Sequence, residues 1–218
     1  MSPAVFGKGG PAQAGPSHWR KRIWNIGLWI GNGILVGVLQ SGHLPGWAML
    51  LVGFLVIEFL AYWVHRLYHT RWLWRFHALH HSDPDVDVTT AVRFHPLETL
   101  SKGAIYALAL GILAIPIWVV TTHGLFSFVM ALLTHDASRR WPPWLERSLE
   151  PGLITLDAHL LHHTTEGEGN YGDVLSVWDH AFGTYHWLCE EPVFGVQGFD
   201  AAAACRPLSM LTTPWRIR

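Results

Sequence analysis

No Asp, Glu, Lys or Arg occurs between Arg22 and Glu58, and none between Lys102 and Asp136. A helix that folds in water needs a polar face, and neither stretch offers one. A single helix across either gap would run about 50 Å at 1.5 Å per residue, well past a hydrocarbon core of roughly 30 Å. Each gap is therefore predicted to hold a helical hairpin. The first runs over about residues 23–40, turns through SGHLPG (41–46) and returns over about 47–64. The second runs over about 98–114, turns near Pro116 and returns over about 117–135, with Pro116 either separating two helices or kinking one.

The placement of cations orients these hairpins. Neither tip carries Lys or Arg, whereas Arg20, Lys21, Arg22, Arg66, Arg71, Arg75, Arg93, Lys102, Arg139 and Arg140 fall on the opposite side. By the positive-inside rule that side is cytoplasmic and carries both termini. The stretches at about 66–97 and 137–218 are more polar and broken by SDPD (82–85), WPPW (141–144) and GEGNYG (167–172), as expected of a helical cap. Residues 1–19, rich in Gly, Pro and Ala, read as a disordered tail, and residues 20–218 as one membrane-embedded domain. Arg20-Lys21-Arg22 ahead of an apolar run imitates a secretory signal, but no small-residue cleavage pattern closes it, so a retained anchor is expected.

Composition closes off other classes. Half the residues are hydrophobic and 14% are charged, against about 25% in soluble domains. A net charge of −1 leaves no basic excess for a phosphate backbone, so nucleic acid is not an expected partner. Cys189 and Cys205 form neither a C-x-x-C pair nor a disulfide framework. Histidine, by contrast, is abnormally abundant, its 15 copies equalling Lys and Arg combined.

Those histidines are patterned: HRLYH (65–69), HALHH (77–81) and HLLHH (159–163). On a helix, i, i+3 and i+4 span an arc of about 100°, so one face carries all three rings. On a strand, His159 and His162 would point to opposite faces, so the spacing makes chemical sense only on helices. The set supplies eight imidazoles: His65, His69, His77, His80, His81, His159, His162 and His163. Gathering that many polar edges on converging faces is costly unless they coordinate something. Eight ligands exceed one metal and suit two, and the near absence of thiolate and carboxylate favours Fe, Zn, Cu or Ni over Mg or Ca. The expected fold class is thus an all-α integral membrane protein with about four transmembrane helices in two hairpins and a cytoplasmic helical cap carrying a histidine-box di-metal site.

The three boxes resemble those of the fatty acid hydroxylase superfamily of membrane non-haem di-iron enzymes. LWRFHALHHSD (73–83), RFHPLE (93–98), THD (134–136) and NYGDVLSVWDHAFGTY (170–185) look like its sterol-desaturase branch, and the resemblance covers roughly residues 50–187. It implies an oxidoreductase that uses O₂ to hydroxylate or desaturate a C–H bond of a lipid such as a sterol, fatty acyl chain or carotenoid. It also implies two iron ions held by the eight box histidines, with His135 of THD carried over as a further ligand. Some branches have another histidine shortly after; here Ser138, Arg139 and Arg140 stand instead, and His95 of RFHPLE is the candidate tenth ligand, with a purely structural role the alternative. The chain has no dinucleotide or flavin motif, so electrons are expected from outside; the resemblance implies that they come indirectly from NAD(P)H through a cytochrome-type haem protein or a ferredoxin.

Glu58 lies inside a predicted span seven residues before His65, hence on nearly the same face. Intramembrane carboxylates are costly and usually functional, so it is expected to support the metal site or line a substrate tunnel rather than merely to partner a nearby Trp or Tyr. Asp157, Asp173 and above all Asp179 could accept the spare ring N–H of ligating histidines. Gly172, in Asn170-Tyr171-Gly172, is expected to relieve strain in a turn. His18, His43, His123, His180 and His186 are read as non-ligands, His43 and His123 because they fall at or near the apolar layer away from the boxes. The competing function is a non-catalytic membrane metal or haem protein, a transporter or electron carrier. Adjacent His-His pairs do not suit a haem carrier, and a transporter would place its ligands at the membrane midplane. With no obvious retrieval signal, a bacterial inner membrane is expected ahead of endoplasmic reticulum.

Overall fold

The computed structural model describes residues 18–40, 44–165, 167–187, 192–200 and 206–216. Among these the chain is helical, with one isolated antiparallel bridge between Thr164 and Phe194. Four long helices come in two sequential pairs: α1 (His18–Gln40) with α2 (Gly46–Tyr68), and α4 (Pro96–Ile112) with α5 (Ile117–Thr134). Short helices fill the intervals: α3 (Trp74–His81), α6 (Pro143–Leu149), α7 (Leu156–His162), α8 (Val177–Phe182) and α9 (Pro207–Thr212). Pro116 separates α4 from α5 rather than kinking one helix, and Ala114 in that turn adopts a positive φ of 51°. Helix α1 begins at His18; residues 1–17, on which most of the expected tail falls, and His43 in the first turn, Cys189 and Cys205 lie outside the described residues.

Two of the long helices, α2 and α5, are long and apolar enough to cross a membrane. They also pack against each other at close range. At Gly53 a Cβ would stand 2.6 Å from Val119 Cγ1, so α5 approaches the α2 backbone where no side chain intervenes. Val119 is fully buried there with Val56, Ile57 and Ile115. Helices in hydrocarbon gain no hydrophobic energy from pairing and depend on such close approaches. On its other side α2 meets α1 through aromatic edges, with Trp29 and Phe59 ring centroids 4.7 Å apart.

Lower along α2 the same helix meets the cap. Phe59, Tyr62 and Trp178 form a buried aromatic cluster, and Tyr62 stacks on Phe182 at 5.1 Å. A separate small core of Val86, Leu156 and Leu160 sits under α7. Helix α2 therefore serves both parts of the molecule, and the histidines at its C-terminal end emerge where α2, α3, α5 and α7 converge.

The α2–α5 contact generates a test. Gly53→Ala should lower the apparent melting temperature in detergent micelles. Overpacking costs about 1–3 kcal/mol, which outweighs the roughly 1 kcal/mol helix-propensity gain of replacing glycine. Adding Val119→Ala should recover part of the loss, because it removes the atom that the new methyl meets.

Candidate metal centre

Among the described residues, nine histidines from four elements converge in two groups. His65, His69, His77, His81 and His162 form one, and His80, His135, His159 and His163 the other; in each, one nitrogen per residue lies within 4.8 Å of all the others. The split follows from helix geometry. Residues i and i+4 are about 40° apart around a helix, whereas i+3 and i+4 are about 100° apart, so adjacent histidines diverge. On α3, His77 and His81 serve the five-membered group and His80 the other. On α7 the allocation is reversed, with His159 and His163 in the four-membered group and His162 in the first. The groups are contiguous, since His81 and His163 stack at 4.5 Å.

Several rings have their tautomer set by what holds Nδ1. His65 donates to the Tyr171 carbonyl at 3.0 Å, His162 to the Gly169 carbonyl at 2.7 Å and His135 to the Ala131 carbonyl at 2.7 Å. His77 donates to Glu98 Oε1 at 2.6 Å, an oxygen that also accepts from Lys102 Nζ at 2.6 Å. With the proton on Nδ1, each of these rings presents a bare lone pair at Nε2. Those lone pairs face one another: His65 Nε2 is 3.1 Å from His77 Nε2 and 3.0 Å from His162 Nε2. No proton is available to bridge them, so the contacts are repulsive unless a cation lies between.

Protonating the rings does not relieve the conflict. Burial, then Lys102 and neighbouring imidazoles, holds His77 and His80 well below the ordinary histidine range, and burial and nearby histidines do the same for His81, His159 and His163. Burial likewise pushes His135 and His162 down to about 4. The rings are thus neutral donors at physiological pH. Cis ligands about 2.1 Å from a common cation stand about 3.0 Å apart, the spacing seen here. His69 Nε2, His80 Nδ1, His159 Nδ1 and both His163 nitrogens are buried without a hydrogen-bond partner, a cost that coordination would remove. The donor sets fit borderline cations of the Fe, Zn, Cu or Ni type.

Three expected residues take other positions. His95 joins neither group: its Nδ1 accepts from Leu97 N at 3.1 Å, capping α4, and its Nε2 donates to the Leu211 carbonyl at 3.1 Å, so no lone pair is left over. Asp179 hydrogen-bonds to none of these rings. It accepts from Tyr171 N at 2.8 Å, Gly172 N at 2.7 Å and Thr184 Oγ1 at 2.7 Å, and so fixes the loop whose carbonyls hold His65 and His162. Glu58 is fully buried and receives His123 Nε2–H at 2.5 Å on one oxygen and Val174 N and Leu175 N, at 3.0 and 2.8 Å, on the other. It therefore ties both spans to the same loop, acting on the histidines through the backbone. Asp157 pairs with Arg140, and Asp173 accepts from Ser127 Oγ at 2.6 Å. Strain in the loop falls on Gly169 and Asn170, with φ of 111° and 51°, rather than on Gly172. Gly172 is needed for space, since a Cβ there would stand 2.4 Å from the Leu175 carbonyl.

Glu98 is the residue that sequence reasoning passed over, although it stands inside the quoted RFHPLE. Its signal was available: it lies at the very start of a predicted span and four residues before Lys102. Among the described residues, cavities reach the centre from two directions. One of about 130 Å³ is walled by Ala61, Val64, Ala131, Phe94, Tyr106, Lys102 and rings from both groups. The other, about 600 Å³, opens between Arg71, Trp74, Arg75 and the 164–171 and 195–197 loops onto His69 and His81.

The family model for fatty acid hydroxylase matches residues 50–184. Among curated proteins, the chain is 38% identical over 141 residues to an ornithine lipid hydroxylase of Rhizobium tropici, covering 62% of this chain and 41% of that protein. It is 32% identical over 149 residues to human alkylglycerol monooxygenase, covering 66% and 32%. To methylsterol monooxygenase 2-2 of Arabidopsis thaliana it is 31% identical over 157 residues, covering 68% and 58%. The chain thus spans less than two thirds of each of these relatives. No solved structure matches it.

The Glu98 contact predicts a measurable asymmetry. Glu98→Leu removes the acceptor that sets the His77 tautomer and strands Lys102, and should weaken metal binding by about 10–100-fold. Glu98→Gln keeps an acceptor oxygen and should lose less. Metal titration of the stripped protein, followed by absorption or calorimetry, separates the two variants.

Proposed function

The chain belongs to the fatty acid hydroxylase family, and on that premise we propose that it is a membrane-bound di-iron oxygenase that oxidises a C–H bond of a lipid. The observation that carries this reading is the facing of bare imidazole lone pairs at 3.0–3.1 Å in a buried site, which only a cation reconciles. His65, His69, His77, His81 and His162 would hold one iron, and His80, His135, His159 and His163 the other. When bound, the pair supplies the O₂-derived oxidant that an unactivated C–H bond requires. The overall balance is R–H + O₂ + 2e⁻ + 2H⁺ → R–OH + H₂O.

The chain's own residues organise the rest. Tyr171, Gly169 and Ala131 carbonyls and Glu98 fix ring orientation, so that little rearrangement is needed on loading. The smaller cavity receives the lipid segment against both groups. Its apolar wall, from Ala61, Val64 and Ala131 of the two apolar helices, orients an alkyl or ring portion and excludes water. The sides of the molecule are thereby divided, with lipid approaching from the bilayer and the wider cleft opening away from those helices.

That wider cleft suits the electron donor. Arg71 and Arg75 are exposed on its rim, and half-buried Trp74 lies 5.2 Å from both His69 and His81. A cytochrome-type haem protein or ferredoxin with an acidic surface, reduced indirectly by NAD(P)H, fits there. We place the cap and this cleft on the cytoplasmic side, with α1 and α4 completing two hairpins, and favour a bacterial inner membrane.

Two outcomes follow. Purified protein should carry about two irons per chain, dropping toward one in His159→Ala, a member of the four-membered group, and in His69→Ala, a member of the five-membered one; elemental analysis reads this, and retention of zinc in both variants would reject the site. Lipids of an expressing host should gain a +16 species that vanishes without O₂. In addition, charge reversal at Arg71 and Arg75 should raise the KM for the protein donor several-fold at low salt while leaving single-turnover chemistry with dithionite unchanged.

A further inference from the structure

His95 of RFHPLE belongs to neither histidine group, and what it holds instead is the last described segment of the chain. Through Nδ1, His95 caps α4, and through Nε2 it binds the Leu211 carbonyl, so α9 and the 3₁₀ turn Thr213–Trp215 are pinned beside the first turn of α4. This segment has two faces. Ser209, Thr213 and Pro214 are buried, whereas Leu208, Leu211 and Trp215 are 80%, 49% and 70% exposed. The spacing i, i+3 and i+7 sets those three on one stripe. Exposed Arg206 and Arg216 bracket it, and Arg216 Nη1 donates to Ser209 Oγ at 2.6 Å.

The stripe does not end with the segment. Phe94, Leu97 and Leu100 at the start of α4 are exposed as well, and the apolar exposure continues along α4 through Leu108 and Ile112. A contiguous apolar shelf of this kind is a liability in water. An apolar face bordered by arginines, merging into the flank of a long apolar helix, is the pattern of a segment lying in a bilayer interface. The arginines add attraction to anionic headgroups.

We propose that Pro207–Trp215 is an interfacial membrane anchor, with Leu208, Leu211 and Trp215 seated among lipid headgroups and upper acyl chains at the level where α4 leaves the bilayer. The anchor bears on the centre through Phe94. That ring stacks on His80 at 4.8 Å and walls the smaller cavity, one residue before His95. Docking the segment on the lipid surface therefore holds the cavity wall at the depth from which a lipid would approach.

The test needs neither metal nor turnover, so its outcome is separable from that of the oxygenase reading. Leu208→Cys is placed in a Cys189→Ser, Cys205→Ser background, labelled with a polarity-sensitive fluorophore and reconstituted as the full chain in phosphatidylcholine–phosphatidylglycerol vesicles. The anchor predicts blue-shifted emission, and quenching by shallow lipid-borne nitroxide several-fold stronger than by aqueous iodide. It also predicts weaker lipid quenching when Arg206 and Arg216 are both changed to Glu. Dominant iodide quenching would overturn it. Efficient cross-linking between chains through position 208 without lipid quenching would overturn it too, assigning the shelf to a second copy.

Discussion

Everything in this molecule is arranged around the direction in which imidazole lone pairs point. A neutral histidine has one nitrogen that donates and one that accepts, and the partner of the first decides the aim of the second. Here backbone carbonyls of Ala131, Gly169 and Tyr171 and the Glu98 carboxylate take the Nδ1 protons, which turns Nε2 inward on His135, His162, His65 and His77. Burial keeps the cap rings neutral and so preserves those lone pairs. The result is a buried concentration of electron pairs that could hold a metal ion.

That arrangement explains features far from the rings. The loop at 169–172 must hold its carbonyls still, and it is held from two directions. Asp179 grips its N–H groups from the cap, and Glu58 grips Val174 and Leu175 from within α2. Glu58 is in turn fixed by His123 on α5, at the level where Gly53 admits Val119. A carboxylate in an apolar span is costly to bury, and this one has each oxygen satisfied. Positive φ at Gly169 and Asn170 is the local strain that brings the carbonyls into line, and Asn170 offsets it by donating to Ala158 and His186 carbonyls at 2.8 and 3.0 Å.

Much of the architecture is legible from charge alone. The charge-free gaps and the prolines near residues 45 and 116 predict four long helices within a few residues of where they occur, since an uncharged stretch of that length has few ways to satisfy its backbone in lipid. The helical reading of the boxes follows from their spacing. Less legible are the partners of the rings. Asp179 stands out in WDHAFGTY, yet it acts through backbone N–H groups, and a sequence does not reveal which acceptors a loop will present. The Glu98 contact with His77 and the hydrogen bonds of His95 are hidden for the same reason. Both residues sit in one short motif, and only the docking of α3 and α9 on either side of it distinguishes a ring support from a helix cap.

The sequence by itself determined which residues could gather, because helical periodicity and the hydrophobic gaps are local properties of neighbouring residues. It also determined the donor chemistry, since imidazole without thiolate is written in the composition. Tertiary structure alone decided how the boxes divide into a group of five and a group of four. On each helix, i+3 and i+4 diverge by about 100°, and nothing local says which of the two will face which neighbour. Only the relative placement of α2, α3, α5 and α7, packed against one another through contacts remote in the chain, makes that choice.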